Sequence, residues 1–385
     1  MKKVHFTGTH RARGPAETLE LIRPLFTRFG ITRLADVTGL DTLGIPVVLA
    51  VRPLAATLSV SQGKGADLVS AQVSAAMEAL ETWHAEYAVP PAVVTGTPAS
   101  ELELPYTIAD IETHSDALAT DRVRLDWLPA TGLLSGAPCL VPRDLVEMRW
   151  RPQAWPPLLV ATSNGLASGN NRWEAVLHGL YEVVERDATS ALAAVPAAER
   201  TYICPDSVDD PNGRRLLDRL KANGAWVELV KAPSRAGITC IVCYLWSPSF
   251  GVAISSGAGA HSDPAVALSR ALTEAAQSQL TCISGTRDDL SPQVYRRGRR
   301  ILPRPVTTGA TTAWSEHAFP PEQEFDSFED ETRWLAGRVR DVTGLEPLVV
   351  DLWAETAFSV SKVFCPGLGH RSLHDIPRDW EGRTA

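Results

Sequence analysis

The chain has 385 residues, 44% of them hydrophobic and 21% charged, the balance of a folded protein with ample apolar material for a core. Its net charge of −8 is spread over interspersed acids and bases, and the one basic run, RRGRR at 296–300, reads as a solvated loop, so nucleic acid is not an expected partner. No stretch approaches the roughly 18 apolar residues of a membrane span, and MKKVHFTGTHRARG lacks the apolar segment of a secretory signal, so the expected compartment is the cytoplasm, with no membrane contact.

Residues 15–30 read as a helix opening at Pro15 and carrying a Leu/Ile/Phe stripe. GIPVVLAVRP (44–53) reads as a strand, and the Pro- and Gly-rich stretch 87–160 as strands and loops. TYICP (201–205) and AWVELVKA (225–232) read as strands flanking the helix RRLLDRLKANG (214–224), which stops at Gly224. ITCIVCYLW (238–246) is an apolar, β-branched run that holds Cys240 and Cys243. A strand sends positions i and i+3 to opposite faces, so this C-x-x-C reads as buried thiols and not as a zinc pair. The six cysteines follow no framework spacing, as in a reduced protein. Residues 286–325 form an excursion rich in Gly, Pro, Thr and Arg, followed by a helix near 327–342 and the strands LEPLVVDLW and FSVSKVFCP.

Three segments resemble one another: SQGKGADLVSAQVSAAMEALETWHAE (61–86), SNGLASGNNRWEAVLHGLYEVVERDA (163–188) and SSGAGAHSDPAVALSRALTEAAQSQL (255–280). Each opens with Ser-x-Gly, passes a Gly-rich turn and enters a long helix bearing Glu-x-x-Glu or Glu-x-x-Gln. From the opening serine, Glu78 lies 17 residues on, and Glu182 and Glu274 each lie 19 on. One strand–turn–helix unit used three times is the expectation.

Helix positions i, i+4 and i+7 share a face. Ser74, Glu78 and Glu81 occupy them in the first unit, His178, Glu182 and Glu185 in the second, and Arg270, Glu274 and Gln277 in the third. Glu174 lies near the same face of the second helix, with Asn170 one turn earlier. These helices are small or apolar nearly all round, the pattern of buried helices. Buried carboxylates without enough cations raise one another's pKa, and a divalent metal resolves that conflict. Hard oxygen ligands without cysteine favour Mg²⁺. Mg²⁺ held by a few carboxylates shares its shell with phosphate oxygens, so a nucleotide is expected. There is no Walker A motif: Gly63-Lys64-Gly65 lacks the glycine spacing and the following Ser/Thr. Gly257 and Gly259 lack the third glycine of GxGxxG.

In order, SQGKG…SAAMEALE, TSNGLASGN…EAVLHGLYEVVERDA, RALTEAAQ and SGTRDD resemble the ATP-binding blocks of YcaO proteins, and VFCPGLGH resembles that family's C-terminal segment, a match over roughly residues 5–372. GTHRARGPAETL and GITRLADVTGLDTLGIPVVLAVRP resemble the stand-alone members that work with a TfuA partner. The resemblance implies a mixed α/β fold in one domain over 1–385, with three related strand–turn–helix units around one nucleotide site. It implies an ATP-binding core at about 58–290, a mobile excursion at about 286–325, and a C-terminal helix and strands at about 326–372. By the same likeness, Arg11, Thr18, Lys64, Ser74, Glu78, Asn170, Gln277 and Arg287 attend ATP. Glu78, Glu81, Glu174, Glu182 and Glu185 hold Mg²⁺.

The chemistry implied is O-phosphorylation of a backbone amide in a ribosomally made precursor peptide, after or during attack by a nucleophile. Sulfide gives a thioamide, a neighbouring Cys or Ser an azoline, and an amine an amidine. The thioamide is favoured through the N-terminal likeness, with a TfuA-like sulfur-delivery partner and a homodimer implied. The catalytic residue itself is not identified. Two departures from the family pattern stand out. Gln279 replaces an expected arginine, for which Arg270 or Arg287 can compensate, and the chain ends RDWEGRTA without a Pro-x-Pro-x-Pro tail. Gln279 leaves open a non-catalytic ATP-binding scaffold, and a metal-binding structural protein is the third reading.

Overall fold

The computed structural model describes residues 3–111, 120–149, 159, 162–251, 253–287, 303–307, 309–317, 319 and 324–369. The basic run 296–300, most of the 286–325 excursion and the C-terminal RDWEGRTA lie outside the described residues.

The chain opens with a hairpin, β1 (Val4–Phe6) and β2 (Thr9–Arg11), turned at Gly8 with φ +74°. Helix α1 (Pro15–Ile22) is shorter than the predicted 15–30. Pro24 has no N–H and clashes with the preceding turn, so the helix gives way to a 3-10 turn at Arg23–Leu25. Strands β3 (Arg33–Asp36), β4 (Val47–Val51) and β5 (Val60–Lys64) make an antiparallel sheet leading into α2 (Leu68–Tyr87). The stretch read as strands and loops holds β6 (Val94–Pro98), β7 (Arg124–Gly132) and β8 (Pro138–Pro142). Next come β9 (Leu166–Gly169), α3 (Arg172–Ala193), β10 (Thr201–Ile203) and α4 (Pro211–Ala222), the last ending before Gly224 at φ +75° as predicted. Strands β11 (Trp226–Lys231), β12 (Thr239–Trp246) and β13 (Ser255–His261) precede α5 (Pro264–Ser284). The described chain closes with β14 (Thr311–Thr312), α6 (Phe328–Thr343), β15 (Leu348–Ala354) and β16 (Ser359–Phe364).

These strands form a mixed α/β architecture of three main sheets. The orders are β3-β4-β5, β6-β7-β15-β16-β9 with β8 on β7, and β13-β12-β11-β10-β14. Pairing is antiparallel throughout except β10 with β14. Strands β5, β9 and β13 each stand at one end of their sheet, and each leads directly into a long helix that covers it. The cover is tight because the strands carry glycine: a Cβ on Gly63 would lie 1.9 Å from the Ala75 nitrogen, and one on Gly259 would lie 2.1 Å from the Ala267 oxygen. These glycines work in strands, not in the turns to which the sequence reading gave them.

One apolar cluster joins α2 to the first two sheets through Val48, Ala75, Leu80, Trp127 and Val360. A second packs α3 and α6 on one face of β11–β13, and a third packs α4 and α5 on the other face. Cys240 belongs to the second and Cys243 to the third, both fully buried, which is the opposite-face placement expected of a strand. No helix among the described residues is long and apolar enough to cross a membrane.

Candidate nucleotide and metal site

The three long helices begin alike. The side chains of Asp67, Asn171 and Asp263 cap α2, α3 and α5, accepting from the Ser70, Glu174 and Ala265 amides. Counted from Leu68, Arg172 and Pro264, the seventh residues are Ser74, His178 and Arg270, the eleventh Glu78, Glu182 and Glu274, and the fourteenth Glu81, Glu185 and Gln277. The caps therefore carry the common register. The opening serines do not, because Ser59, and not Ser61, stands 19 residues before Glu78.

Each helix packs on its own strand and also reaches the strand of the next unit: α2 touches β9, α3 touches β13, and α5 touches β5. The fourteenth residues make the bonds that close this ring. The Ser168 N–H and Oγ donate to Glu81 at 2.7 and 2.6 Å. The Ala260 N–H donates to Glu185 at 3.0 Å. Gln277 Nε2 donates to the Gln62 carbonyl at 2.7 Å. Two positions meet backbone N–H groups and are acids; the third meets a carbonyl and is an amide that can donate. Geometry thus explains the Glu, Glu, Gln pattern.

The carboxylates so gathered are short of compensating charge. Burial pushes Glu81 up to about 8, and the Glu78 and Glu182 charges add to the rise against its Ser168 bond. Burial likewise pushes Glu78 up to about 7, with Arg287 and Lys64 opposing and Glu274 adding. Glu185 is pushed to about 7 by burial and by Glu274, and Glu182 rises through burial against the pull of Arg186. Burial acts on Glu274 in the same sense, but Lys64, at 2.5 Å, and Arg186 outweigh it and hold Glu274 below the usual carboxylate range. His178, on the same face, is kept neutral by burial and by Arg270.

The N-terminal segment closes one side. Thr18 Oγ1 donates to Asn170 Oδ1 at 2.7 Å, and Asn170 Nδ2 donates to both Glu174 oxygens at 3.1 Å. The Ala12 N–H reaches Glu174 at 2.9 Å, and the Arg11 guanidinium stands 3.6 Å from it. Arg11, Thr18, Asn170 and Glu174 are therefore one connected group, although 152 residues separate Thr18 from Asn170. Ser74 is half-buried one turn before Glu78. Arg287 is close enough to bear on Glu78.

Gln279 lies elsewhere. It is fully buried, donates to Asp41 Oδ2 at 2.7 Å and accepts from Ser247 Oγ at 2.8 Å, on the side of α5 away from Gln277. The charge lost at this position is thus not taken from the acidic centre. Sequence reasoning missed Arg186, whose Nε is buried without a partner among the described residues and which opposes the rise of Glu182 and Glu185. Its position directly after Glu185 was the available signal.

Glu78, Glu81, Glu182, Glu185 and Glu274 here face Lys64, Arg186, Arg270, Arg287 and Lys362. Four carboxyl groups held above their usual range despite these cations, together with a buried guanidinium N–H without a partner among the described residues, suit divalent cations bridging to phosphate oxygens. No group of three or more His, Cys, Asp or Glu side chains among the described residues is arranged to hold a metal by itself. Mg²⁺ typically takes one or two carboxylates and fills its shell with water and phosphate.

A family profile for YcaO cyclodehydratases, described as ATP- and Mg²⁺-binding, matches residues 62–369. An uncharacterized Mycobacterium tuberculosis protein is 40% identical over 370 residues, covering 94% of this chain and 83% of that one. A protein from the 3′ region of tfuA in Rhizobium leguminosarum bv. trifolii is 37% identical over 377 residues, covering 93% and 88%. The solved YcaO from Methanopyrus kandleri, bound with AMPPCP and Mg²⁺, is 27% identical with a TM-score of 0.72, covering 96% of this chain and 95% of its own. A heterocyclase solved with substrate and cofactor shares the fold at 20% identity and a TM-score of 0.70, covering 94% of this chain and 53% of that one.

Proposed function

This chain belongs to the YcaO family, and from that premise we propose that it activates a backbone amide of a ribosomally made peptide and exchanges the amide oxygen for sulfur. Its cofactors are ATP and Mg²⁺. The observation carrying the proposal is the ring of three helices that turns equivalent acidic positions onto one buried centre. The sulfur reading is supported by the relative from the tfuA 3′ region and by the N-terminal likeness.

When bound, ATP supplies the phosphoryl group that makes the amide oxygen a good leaving group, and Mg²⁺ offsets its charge. The protein's own contribution is placement and a fixed field. Glu78, Glu81, Glu174, Glu182 and Glu185 hold the cations. Arg11, Thr18, Lys64, Ser74, Asn170, Gln277 and Arg287 attend the nucleotide, joined by Arg186 and Arg270. The Ser168 and Ala260 amides lock Glu81 and Glu185 in place, so little reorganisation is needed on binding. Because Gln279 points to Asp41 and Ser247, it gives no ground for a non-catalytic scaffold.

The protein works on a precursor peptide as a homodimer, with a TfuA-like partner delivering sulfur. Incubation of candidate precursor peptides with the enzyme, ATP, Mg²⁺ and sulfide, followed by mass spectrometry, tests this. Exchange of oxygen for sulfur is expected. Loss of water instead marks an azoline or amidine, and no peptide-dependent phosphate release marks a scaffold.

A further inference from the structure

A cleft away from the acidic ring shares no lining residue with the nucleotide and metal site. It is open, of about 210 Å³, and lies between the end of β7, the turn that follows it, and the beginnings of α3 and α6; Thr131, Leu134, Ser135, Arg172, Trp173 and Arg333 line it. One wall is rigid. The Leu134 and Ser135 amides and Ser135 Oγ donate to Glu346 at 2.8, 2.9 and 2.6 Å, and Gly136 turns the chain at φ +70°. Another wall is the half-buried Trp173, with the Arg172 guanidinium 5.1 Å and the Arg333 guanidinium 5.6 Å from its ring centre.

The lining holds these two arginines and no acid. Arg172 Nε donates to both Asp351 oxygens at 3.0 and 2.9 Å, and Arg333 donates to Glu329 at 3.2 and 3.0 Å. These acids stand outside the lining and hold each guanidinium by one edge. Both Nη groups of Arg172 and one of Arg333 make no hydrogen bond among the described residues. A guanidinium has five N–H donors and can serve a second carboxylate. Arg172 is also the first residue of α3, where its charge adds to the positive end of the helix dipole. Fixed donors and positive charge thus surround an aromatic face, in a chain whose net charge is −8. The volume is that of about seven waters at roughly 30 Å³ each, below the roughly 300–1,000 Å³ of small-molecule sites. It has room for one or two side chains.

Resting on the peptide-substrate reading, we propose that this cleft docks the precursor peptide through an acidic side chain, whose carboxylate the Nη groups of Arg172 and Arg333 bind while its methylenes lie on Trp173. From Arg172 to Glu174 the helix turns by about 200°, so the cleft and the acidic ring lie on opposite sides of the start of α3. An α-helix is about 10–12 Å across and an extended peptide advances about 3.3 Å per residue. The docked acid should therefore stand at least about three or four residues from the amide that is modified.

Fluorescein-labelled hexaglutamate probes the cleft without turnover, its binding to the full chain read by anisotropy with the nucleotide site filled by saturating Mg²⁺ and AMPPCP. Hexaglutamine is the neutral control. Arg333→Glu should weaken hexaglutamate binding about tenfold or more, and Arg172→Gln should weaken it in the same sense. The thermal shift from Mg²⁺ and AMPPCP should stay at the wild-type value in both. Should the charge reversal misfold, Arg333→Gln replaces it. Hexaglutamine bound as tightly, hexaglutamate indifferent to the substitutions, or inorganic phosphate competing as well as the peptide overturns the assignment. With a peptide that mass spectrometry shows to be modified, Arg333→Glu should raise KM for the peptide and leave KM for ATP unchanged, and exchanging the peptide's acid for lysine should restore part of the loss. A KM for ATP that rises in step overturns the separate cleft. Failure of every candidate peptide to be modified sinks the peptide reading and the docking role with it, whereas lost discrimination for hexaglutamate sinks the docking role alone.

Discussion

Helix α2 carries two kinds of carboxylate within three turns. Glu86, 2% exposed, meets the Arg52 guanidinium at 2.5 Å, Thr57 Oγ1 at 2.5 Å and the Thr57 amide at 3.0 Å. Arg52 spends its other donors on the Phe29 and Ala79 carbonyls. Glu78 and Glu81, earlier on the same helix, face other carboxylates and rise to about 7 and 8. The first arrangement is complete within the chain. The second leaves its carboxyl groups above their usual range, and on the proposed function that difference separates an acid that holds the fold from acids that would hold a ligand.

Breaking the complete arrangement should cost most. Arg52→Ala leaves Glu86 buried and uncompensated, and should destabilise the fold by about 3–5 kcal/mol in denaturant unfolding. Glu182→Gln and Glu185→Gln should behave oppositely: peptide-dependent phosphate release falls about a hundredfold or more, while unfolding free energy holds or rises because like charges are relieved. Equal destabilisation by all three variants would erase the distinction.

A smaller effect probes how the helices are seated. Gly63→Ala pushes a methyl group against the Ala75 backbone, 1.9 Å from its nitrogen, and should cost about 1–3 kcal/mol through a shifted α2. Nucleotide response should fall with it, since Glu78 and Glu81 ride on that helix.

The smallest effect is the pH dependence of the metal-free protein. A carboxyl whose folded pKa lies above its unfolded value stabilises the fold only while protonated. The contributions of Glu78, Glu81 and Glu185 are thus intact below about 4 and are lost as pH climbs through about 7 to 8. Thermal unfolding without Mg²⁺ should show stability drifting down by about 1–2 kcal/mol across that window. Added Mg²⁺ and AMPPCP should reverse the drift, because cations bind the deprotonated form.

Much of this centre was legible because it is periodic. Glu78, Glu81, Glu182 and Glu185 repeat at helical spacing in helices with almost no lysine, and the structure turns them inward on one ring. The shared register was half legible, since the eye falls on the serines while the caps Asp67, Asn171 and Asp263 set it. What could not be read is what comes from far along the chain. Nothing local in GTHRARG says that His10 meets Asp263, or that Lys3 is tied to Glu331. Nor does spacing alone say that Gln279 turns to Asp41. The helix predicted to residue 30 ended at Ile22 because Pro24 outweighed an apolar stripe that continues through it.

The most direct measurement is proton release on binding Mg²⁺ and AMPPCP, taken by titration calorimetry near pH 7 in buffers of different ionisation enthalpy. Carboxyl groups held at about 7 to 8 must shed protons when cations bind them, so net release is expected and should shrink in Glu81→Gln. Tight binding with no protons released, and the same in that variant, would contradict the account.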